Sequence, residues 1–557
     1  MGLYYFLGFL VAFVIIATLL GFRDNKIYEK RLITFLKNNY GKSPSRTYKP
    51  DELDHVRGYF DNHKEDIQVD DITWNDLNMD GVFVRMNYCL SASGEEYLYH
   101  MLRTPQMSDD FYDLEKKISF FQKDNEARLK FQLIFSKIGR VVRYSIYDYL
   151  KLLDNVFDFS NKKHFAMLAL LVGAIALCFF RFGIGIALVL ILAVSNVVMY
   201  FSEKNKIEPY LATYRYVLKV ISSVGYFSKL NYPEVADDLE RLNEAAAGLE
   251  GFSKGSYILM SPGRLNSGGN PFEMFLDYVR MITHADLIKF NNMYKKLTEK
   301  RDDLDAILTV VGRLDALVSV ACFRASEEGV YTVPSFEGSS YNAEDLVHPL
   351  IEEPVANSID TDKGILITGS NASGKSTFLK TVAINTLLAQ SIHTVLASSY
   401  KAPIYRVYSS MALKDDIVGG DSYYMVEIKS MKRILDAAKE EGAPVLCFVD
   451  EILRGTNTVE RIAASTEILK TFPGGNVICF AATHDIELTA LLKDYYGIYH
   501  FEGDVTDNDV HFDYKIKEGA ATNRNAIKLL GVLGYDRNIV DRAQELADKF
   551  NETGVWA

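Results

Sequence analysis

Four short segments carry residue types that could act on a nucleotide. The first is Gly369-Ser370-Asn371-Ala372-Ser373-Gly374-Lys375-Ser376-Thr377, which fits G-x-x-x-x-G-K-[ST]. Glycines at these positions let backbone N–H groups fold round an anion at a helix N-terminus. Lys375 would reach the β- and γ-phosphates, and the Ser376 hydroxyl would ligate Mg²⁺. The second is the acid pair Asp450-Glu451. Asp450 is placed to hold Mg²⁺ through water, and Glu451 to polarise an attacking water. The third is Ala482-Thr483-His484, whose imidazole could hydrogen-bond the γ-phosphate. The fourth is Gly419-Gly420-Asp421-Ser422, followed by a helical run. Asp421 or Ser422 can cap that helix, whose N-terminus could also bind a phosphate.

The first three segments need rigid elements to aim them. Ile365–Thr368, Val445–Val449 and Val477–Ala481 are short runs apolar throughout, as expected of strands buried on both faces of a sheet. Each of the three segments begins where one of these runs stops. After Lys375 the residues Phe378, Leu379, Val382 and Ala383 recur with helical spacing. An α/β domain is therefore expected over 330–535, with a C-terminal helix over 536–557. Upstream, residues 72–163 and 203–329 read as helical, with Leu304, Ile307, Leu308, Val311, Leu314, Leu317 and Val318 on one face. Residues 23–71 are polar and mixed, with loop signals at Ser43-Pro44-Ser45 and Lys49-Pro50.

Three apolar stretches bear on the membrane. Tyr4 to Phe22 is 19 residues without a charge, about 28 Å as a helix, close to a hydrocarbon core. No charge precedes it and bulky Leu20 and Phe22 end it, which fits a retained anchor over residues 1–22 better than a cleaved signal. Phe165–Phe180 and Phe182–Ser202 are also uncharged, divided by Arg181. A hairpin over 164–202 turning at Arg181-Phe182-Gly183 is expected. The flanking bases Arg23, Lys26, Lys162, Lys163, Lys204 and Lys206 put the polar mass on the cytoplasmic side of a cell membrane.

Composition narrows the field further. Lys and Arg total 61 against 73 Asp and Glu, a net charge of −12, so any nucleic-acid contact needs a local basic patch. Lys289, Lys295, Lys296, Lys300 and Arg301 could supply one, although a solvated helix face explains such a run equally well. The five cysteines form no C-x-x-C pair, which argues against a zinc ribbon or a disulfide scaffold.

Taken in order, the four segments resemble the ABC-type ATPases, and more closely the MutS family of DNA mismatch-repair proteins. The P-loop with Asn371, Asp421-Ser422 with Glu427, Asp450 to Thr458, and Ala482-Thr483-His484 with Glu487-Leu488 all look like MutS segments. His348-Pro349, Asn357, Tyr514 to Gly519, and Ile539, Arg542 and Ala543 extend the likeness. Gly94 to Pro105 and Leu314-Asp315 to Ala321 resemble the start and end of the MutS lever/core domain. The resemblance implies an ABC-type P-loop ATPase domain behind an all-α lever/core domain, with three transmembrane helices added. It implies ATP and Mg²⁺ as cofactors, Asn357 among the nucleotide-binding residues, and a homodimer in which Asp421 and Ser422 reach nucleotide held by a second copy. DNA is the partner it implies; the apolar stretches add the lipid bilayer. Three features depart from the family. Only 49 residues (23–71) separate the anchor from the core match, too few for mismatch-reading and connector domains. A hairpin interrupts the lever region. Pro354 and Leu453 stand where the family often has an aromatic and a glycine. A transporter-like ATPase acting without DNA, and a tether that binds ATP only to dimerise, are the competing classes.

Overall fold

The computed structural model describes the chain except for residues 1–22, 24–25, 45, 141–144, 149–159, 250–251, 253–277, 371, 412–422, 474–475, 506–509, 522–525, 533 and 557. The first apolar stretch, Tyr4 to Phe22, and the segment holding Asp421 and Ser422 lie outside the described residues, as does Asn371. Two compact units result. One comprises residues 1–63, 87–100 and 116–325; the other comprises 64–86, 101–115 and 326–557.

The second unit is α/β. Its strands are β1 (Tyr331–Thr332), β2 (Tyr341–Leu346), β3 (Asn357–Thr361), β4 (Ile365–Gly369), β5 (Val395–Leu396), β6 (Ser399–Lys401), β7 (Arg406–Ser410), β8 (Val445–Asp450), β9 (Val477–Ala482), β10 (Gly497–Val505) and β11 (Val510–Glu518). The main sheet has the order β11-β10-β4-β9-β8-β7. Strands β10, β4, β9, β8 and β7 run parallel, and β11 returns antiparallel to β10. The three apolar runs found in the sequence are β4, β8 and β9, and their side chains are almost wholly buried. Helix Lys375–Ile392 packs on this sheet, with Phe378, Leu379, Val382 and Ala383 buried as their spacing predicts.

Residues 64–71, read from the sequence as part of the polar stretch 23–71, and residues 72–86 and 101–115, read as part of the helical core, fold with this sheet. The reason is local and polar. Edge strand β7 offers unpaired backbone, and helix Asp71–Asp76 covers it. Ser409 N donates to Thr73 Oγ1 at 3.1 Å. Asp76 accepts from Ser409 Oγ at 2.7 Å and from Met411 N at 2.9 Å. Arg433 then reaches Asp70, the cap of that helix, at 2.7 Å. Single-residue polar bonds of this kind leave no periodic trace in the sequence.

The first unit is helical. Helix Arg301–Ser326 is apolar enough to cross a membrane, but 83% of its most apolar stretch is buried inside the protein, so it is a core helix. Asp315 lies fully buried on it. Its carboxylate accepts from Leu90 N, from Ser91 N at 2.7 Å and from Ser91 Oγ at 2.6 Å. Those donors precede helix Ala92–Arg103. The apolar hairpin also forms, from helices Lys162–Phe180 and Phe182–Phe227, turning at Arg181 (φ −140°, ψ 79°). A Cβ at Gly185 would come within 2.5 Å of the Cys178 backbone, so glycine lets the two arms meet there. Only 17% and 11% of the arms' apolar stretches are buried. Both are long and apolar enough to cross a membrane.

Candidate functional site

Strand register assembles the site. Asp450 on β8 pairs with Ala482 on β9, and Ile367 on β4 pairs with Ala482 from the other side. Residues just past these positions, at the carboxyl ends of parallel strands, therefore converge. They are Gly369, Ser370, Ala372, Ser373, Gly374, Glu451 and His484.

Gly374 takes φ 110° at the start of helix Lys375–Ile392, a conformation that a side chain would strain. The Tyr514 ring also stands 3.3 Å from where a Cβ would be. Lys375 is buried, and its ammonium donates to the carbonyls of Gly369 at 2.8 Å and Ser370 at 2.9 Å. Burial lowers its pKa to about 8, against the upward pull of Asp450 and Glu451. The Ser376 hydroxyl donates to Asp450. Ser373 Oγ is buried with no hydrogen-bond partner, an orphaned polar atom inside the loop.

Glu451 sits at φ 59°, anchored by its N–H to Ala482 O at 2.9 Å. Its carboxylate is gripped on both oxygens, by His484 Nε2 at 2.9 Å and by Arg454 Nε at 2.7 Å. The His484 hydrogen bond, followed by the Arg454 charge, holds it below the usual carboxylate range despite partial burial. The imidazole thus serves Glu451 in this arrangement. Its position next to the acid was not foreseen from the sequence, which pointed it at a phosphate.

Further side chains fix this pair. Buried Glu427, on helix Tyr423–Ala437, accepts from Arg454 N at 3.2 Å and Gly455 N at 3.3 Å. Arg461 forks onto Asp485, beside His484, at 2.8 and 2.6 Å. Asn457 caps helix Thr458–Thr471 through Glu460 N at 3.0 Å. The sequence reading assigned no role to Arg454, Arg461 or Asp485. Arg454 and Asp485 fall in the short segments just past β8 and β9, and Arg461 on helix Thr458–Thr471 reaches back to Asp485.

A cavity of about 640 Å³ joins Ala372–Thr377, Asp450, Glu451, Arg454, His484 and Tyr514. A second, of about 300 Å³, is lined by His348, Pro354, Val355, Asn357, Phe501 and Tyr514 among others. Tyr514 faces both. Asn357 lines the second cavity, but its amide is committed to backbone: it donates to Tyr514 O at 2.9 Å and accepts from Ile516 N at 2.8 Å. It holds β11, and with it Tyr514, in place. His348 Nδ1 accepts from Leu350 N at 3.2 Å, and burial holds the imidazole neutral, with its pKa lowered to about 4. Gly369, Ser370, Ala372, Ser373, Gly374, Lys375, Ser376, Thr377, Asp450, Glu451 and His484 are thus brought together as the sequence spacing suggests.

The family model for MutS domain V matches residues 365–551. The DNA mismatch repair protein MutS 2 of Halobacterium salinarum is 33% identical over 273 residues, covering 46% of this chain and 31% of that protein. MutS of Thermosipho melanesiensis is 31% identical over 272 residues, 46% and 32% of the two chains. MutS 2 of Haloarcula marismortui is 32% identical over 296 residues, 47% and 30%. The match spans about a third of the length of these relatives.

Proposed function

We propose that this chain, whose C-terminal domain matches MutS domain V and resembles MutS proteins, is an ATP hydrolase held in a bilayer by its apolar helices, working as a homodimer and engaging DNA in a mismatch-repair-like role. The observation that carries the hydrolase reading is the clamped Glu451 beside the Ser376–Asp450 pair in one cavity.

The residues suit a nucleotide and its metal. Ser373 Oγ is an unused polar atom in an anion-binding loop. Ser376 and Asp450 form a hard oxygen pair of the type Mg²⁺ takes. Lys375 would turn from the Gly369 and Ser370 carbonyls toward the β- and γ-phosphates. The 300 Å³ cavity would take the base, with Pro354 and Val355 on its wall and the Tyr514 ring at its mouth. When bound with ATP, Mg²⁺ supplies charge neutralisation at the phosphoryl group being transferred. The chain's own share is orientation. Glu451, held below its ordinary pKa, is a weak base. Its carboxylate positions a water and takes its proton late, as that water becomes acidic. His484 and Arg454 keep the carboxylate from swinging. Asp421 and Ser422 complete the site of a second copy, on the strength of the family resemblance.

A second reading is an ATPase that acts on a membrane process without DNA. The largely exposed apolar arms favour it. The test uses detergent-solubilised full chain and follows phosphate release with duplex, mismatched and branched DNA across a salt series. Stimulation that fades steeply with salt supports DNA engagement through phosphate contacts. No stimulation by any DNA moves the reading to the membrane process. Mixed dimers of Ser422→Ala with Lys375→Ala should show an activity pattern that requires shared sites. Independent behaviour of the two subunits would refute the shared site.

A further inference from the structure

Helix Ala285–Glu299 is tied to the foot of the hairpin. His284 Nε2 meets Asn196 O at 2.9 Å, and Tyr200 OH donates to Asp286 at 2.7 Å. Asn291 donates to Asn161 Oδ1 at 2.7 Å, and Asn161 donates to Asn292 Oδ1 at 2.9 Å. Half-buried Lys289 lies on this helix between Asp286 and Asn291, the residues bonded to the hairpin foot. Lys162 and Lys163 open one arm there and are exposed. Lys204 leaves the other arm and donates to Tyr200 OH at 2.7 Å. Two acids share the foot. Asp286 is buried and takes the Tyr200 hydroxyl, and Glu203 is half-buried. Just before His284 the chain exposes Tyr278 and Val279, an aromatic and an aliphatic of the sort that populate a membrane interface. In a chain of net charge −12, this foot carries a local excess of lysine.

We infer that the foot of the hairpin binds anionic lipid headgroups, with Lys162, Lys163, Lys204 and Lys289 ringing the point where two exposed apolar arms end. The inference rests on the bilayer reading above. Charge alone would serve a nucleic-acid phosphate as well. The arms decide the matter: they project about 28 Å from the same ring as uncovered hydrocarbon. A duplex approaching this face would meet apolar side chains that cannot pair with its phosphates, whereas a bilayer takes arms and ring together.

The full chain is reconstituted in phosphatidylcholine vesicles with and without phosphatidylglycerol. Acetylation rates of Lys162, Lys163, Lys204 and Lys289 are read by mass spectrometry, with Lys439 as internal reference. Alkaline carbonate extraction of the same samples reports insertion. Phosphatidylglycerol should slow acetylation of the ring about fivefold per lysine and leave Lys439 unchanged. The double variant Lys162→Glu and Lys163→Glu should lose the effect at Lys204 and Lys289 while remaining carbonate-resistant. Carbonate-resistant protein with equal rates in both lipids would overturn the headgroup site and leave the hairpin reading standing. Extraction from both vesicles would overturn the hairpin reading itself. Protection of the ring by duplex DNA but not by phosphatidylglycerol would overturn the inference in favour of nucleic acid.

Discussion

Two acids, one in each unit, have opposite fates: Glu451 stands just past strand β8, and Asp315 lies mid-way along helix Arg301–Ser326. Glu451 is partly exposed, is held by a histidine and an arginine, and has its pKa pulled below the usual range. Asp315 is completely buried, takes its hydrogen bonds from Leu90, Ser91 and their backbone, and is pushed up to about 7 by that burial. The first arrangement keeps a charge available at the rim of a cavity. The second sacrifices charge to tie residues 90–91 to a core helix. The contrast separates chemistry from architecture more sharply than sequence position does, since both acids fall in segments that resemble one family.

The largest expected effect lies on the nucleotide side. Lys375→Ala removes the buried ammonium and should weaken ATP binding or turnover about 10²–10³-fold, measured by nucleotide titration and phosphate release. Near-normal binding would show that the loop is a glycine-rich turn and nothing more. On the other side, Asp315→Ala should cost about 3 kcal/mol of stability by stranding the donors of Leu90 and Ser91, with no direct effect on nucleotide affinity. Denaturant melts with intact ATP binding would confirm that division; loss of ATP binding at unchanged stability would break it.

Glu427→Gln should lower kcat about 10–100-fold by loosening the loop that carries Arg454, with nucleotide affinity nearly unchanged. A matching loss of affinity would move Glu427 into nucleotide binding. Two pH profiles refine the comparison. Because the Lys375 ammonium is lost above about pH 8, ATP affinity should fall about tenfold between pH 7 and 9, with a proton taken up on binding at the higher pH. Asp315 acts on stability, at lower pH. Between about pH 4 and 7 the unfolded chain has released this proton while the folded chain keeps it, so stability falls as pH rises through that window, by at most about 4 kcal/mol. Asp315→Asn should flatten that slope, and an unchanged slope would assign it to other groups.

The candidate site was largely legible in the sequence because short apolar strands stop abruptly at polar residues, and parallel pairing brings such stops together. β4, β8 and β9, and the residues after them, are where that reasoning puts them. The helical face of Leu304 to Val318 was legible for the same reason of periodicity, and those residues are buried. What escaped depends on distant partners. Thr73 and Asp76 bond to β7 across more than 330 residues of chain. Asn357 lines the second cavity, and the bonds of its amide to Tyr514 and Ile516 were not foreseen. The bond from His484 to Glu451, in the cavity it shares with Lys375, was not foreseen. The side-chain partners were not legible, since such pairing is set by register and loop geometry that spacing does not encode.

The most direct test of the whole account is Glu451→Gln, assayed for ATP binding and for single-turnover hydrolysis in the same preparation. The account predicts binding within a fewfold of the parent chain and hydrolysis slowed about 10²–10⁴-fold. Hydrolysis at the parent rate would contradict it, and the carboxylate between His484 and Arg454 would then be a structural ion pair.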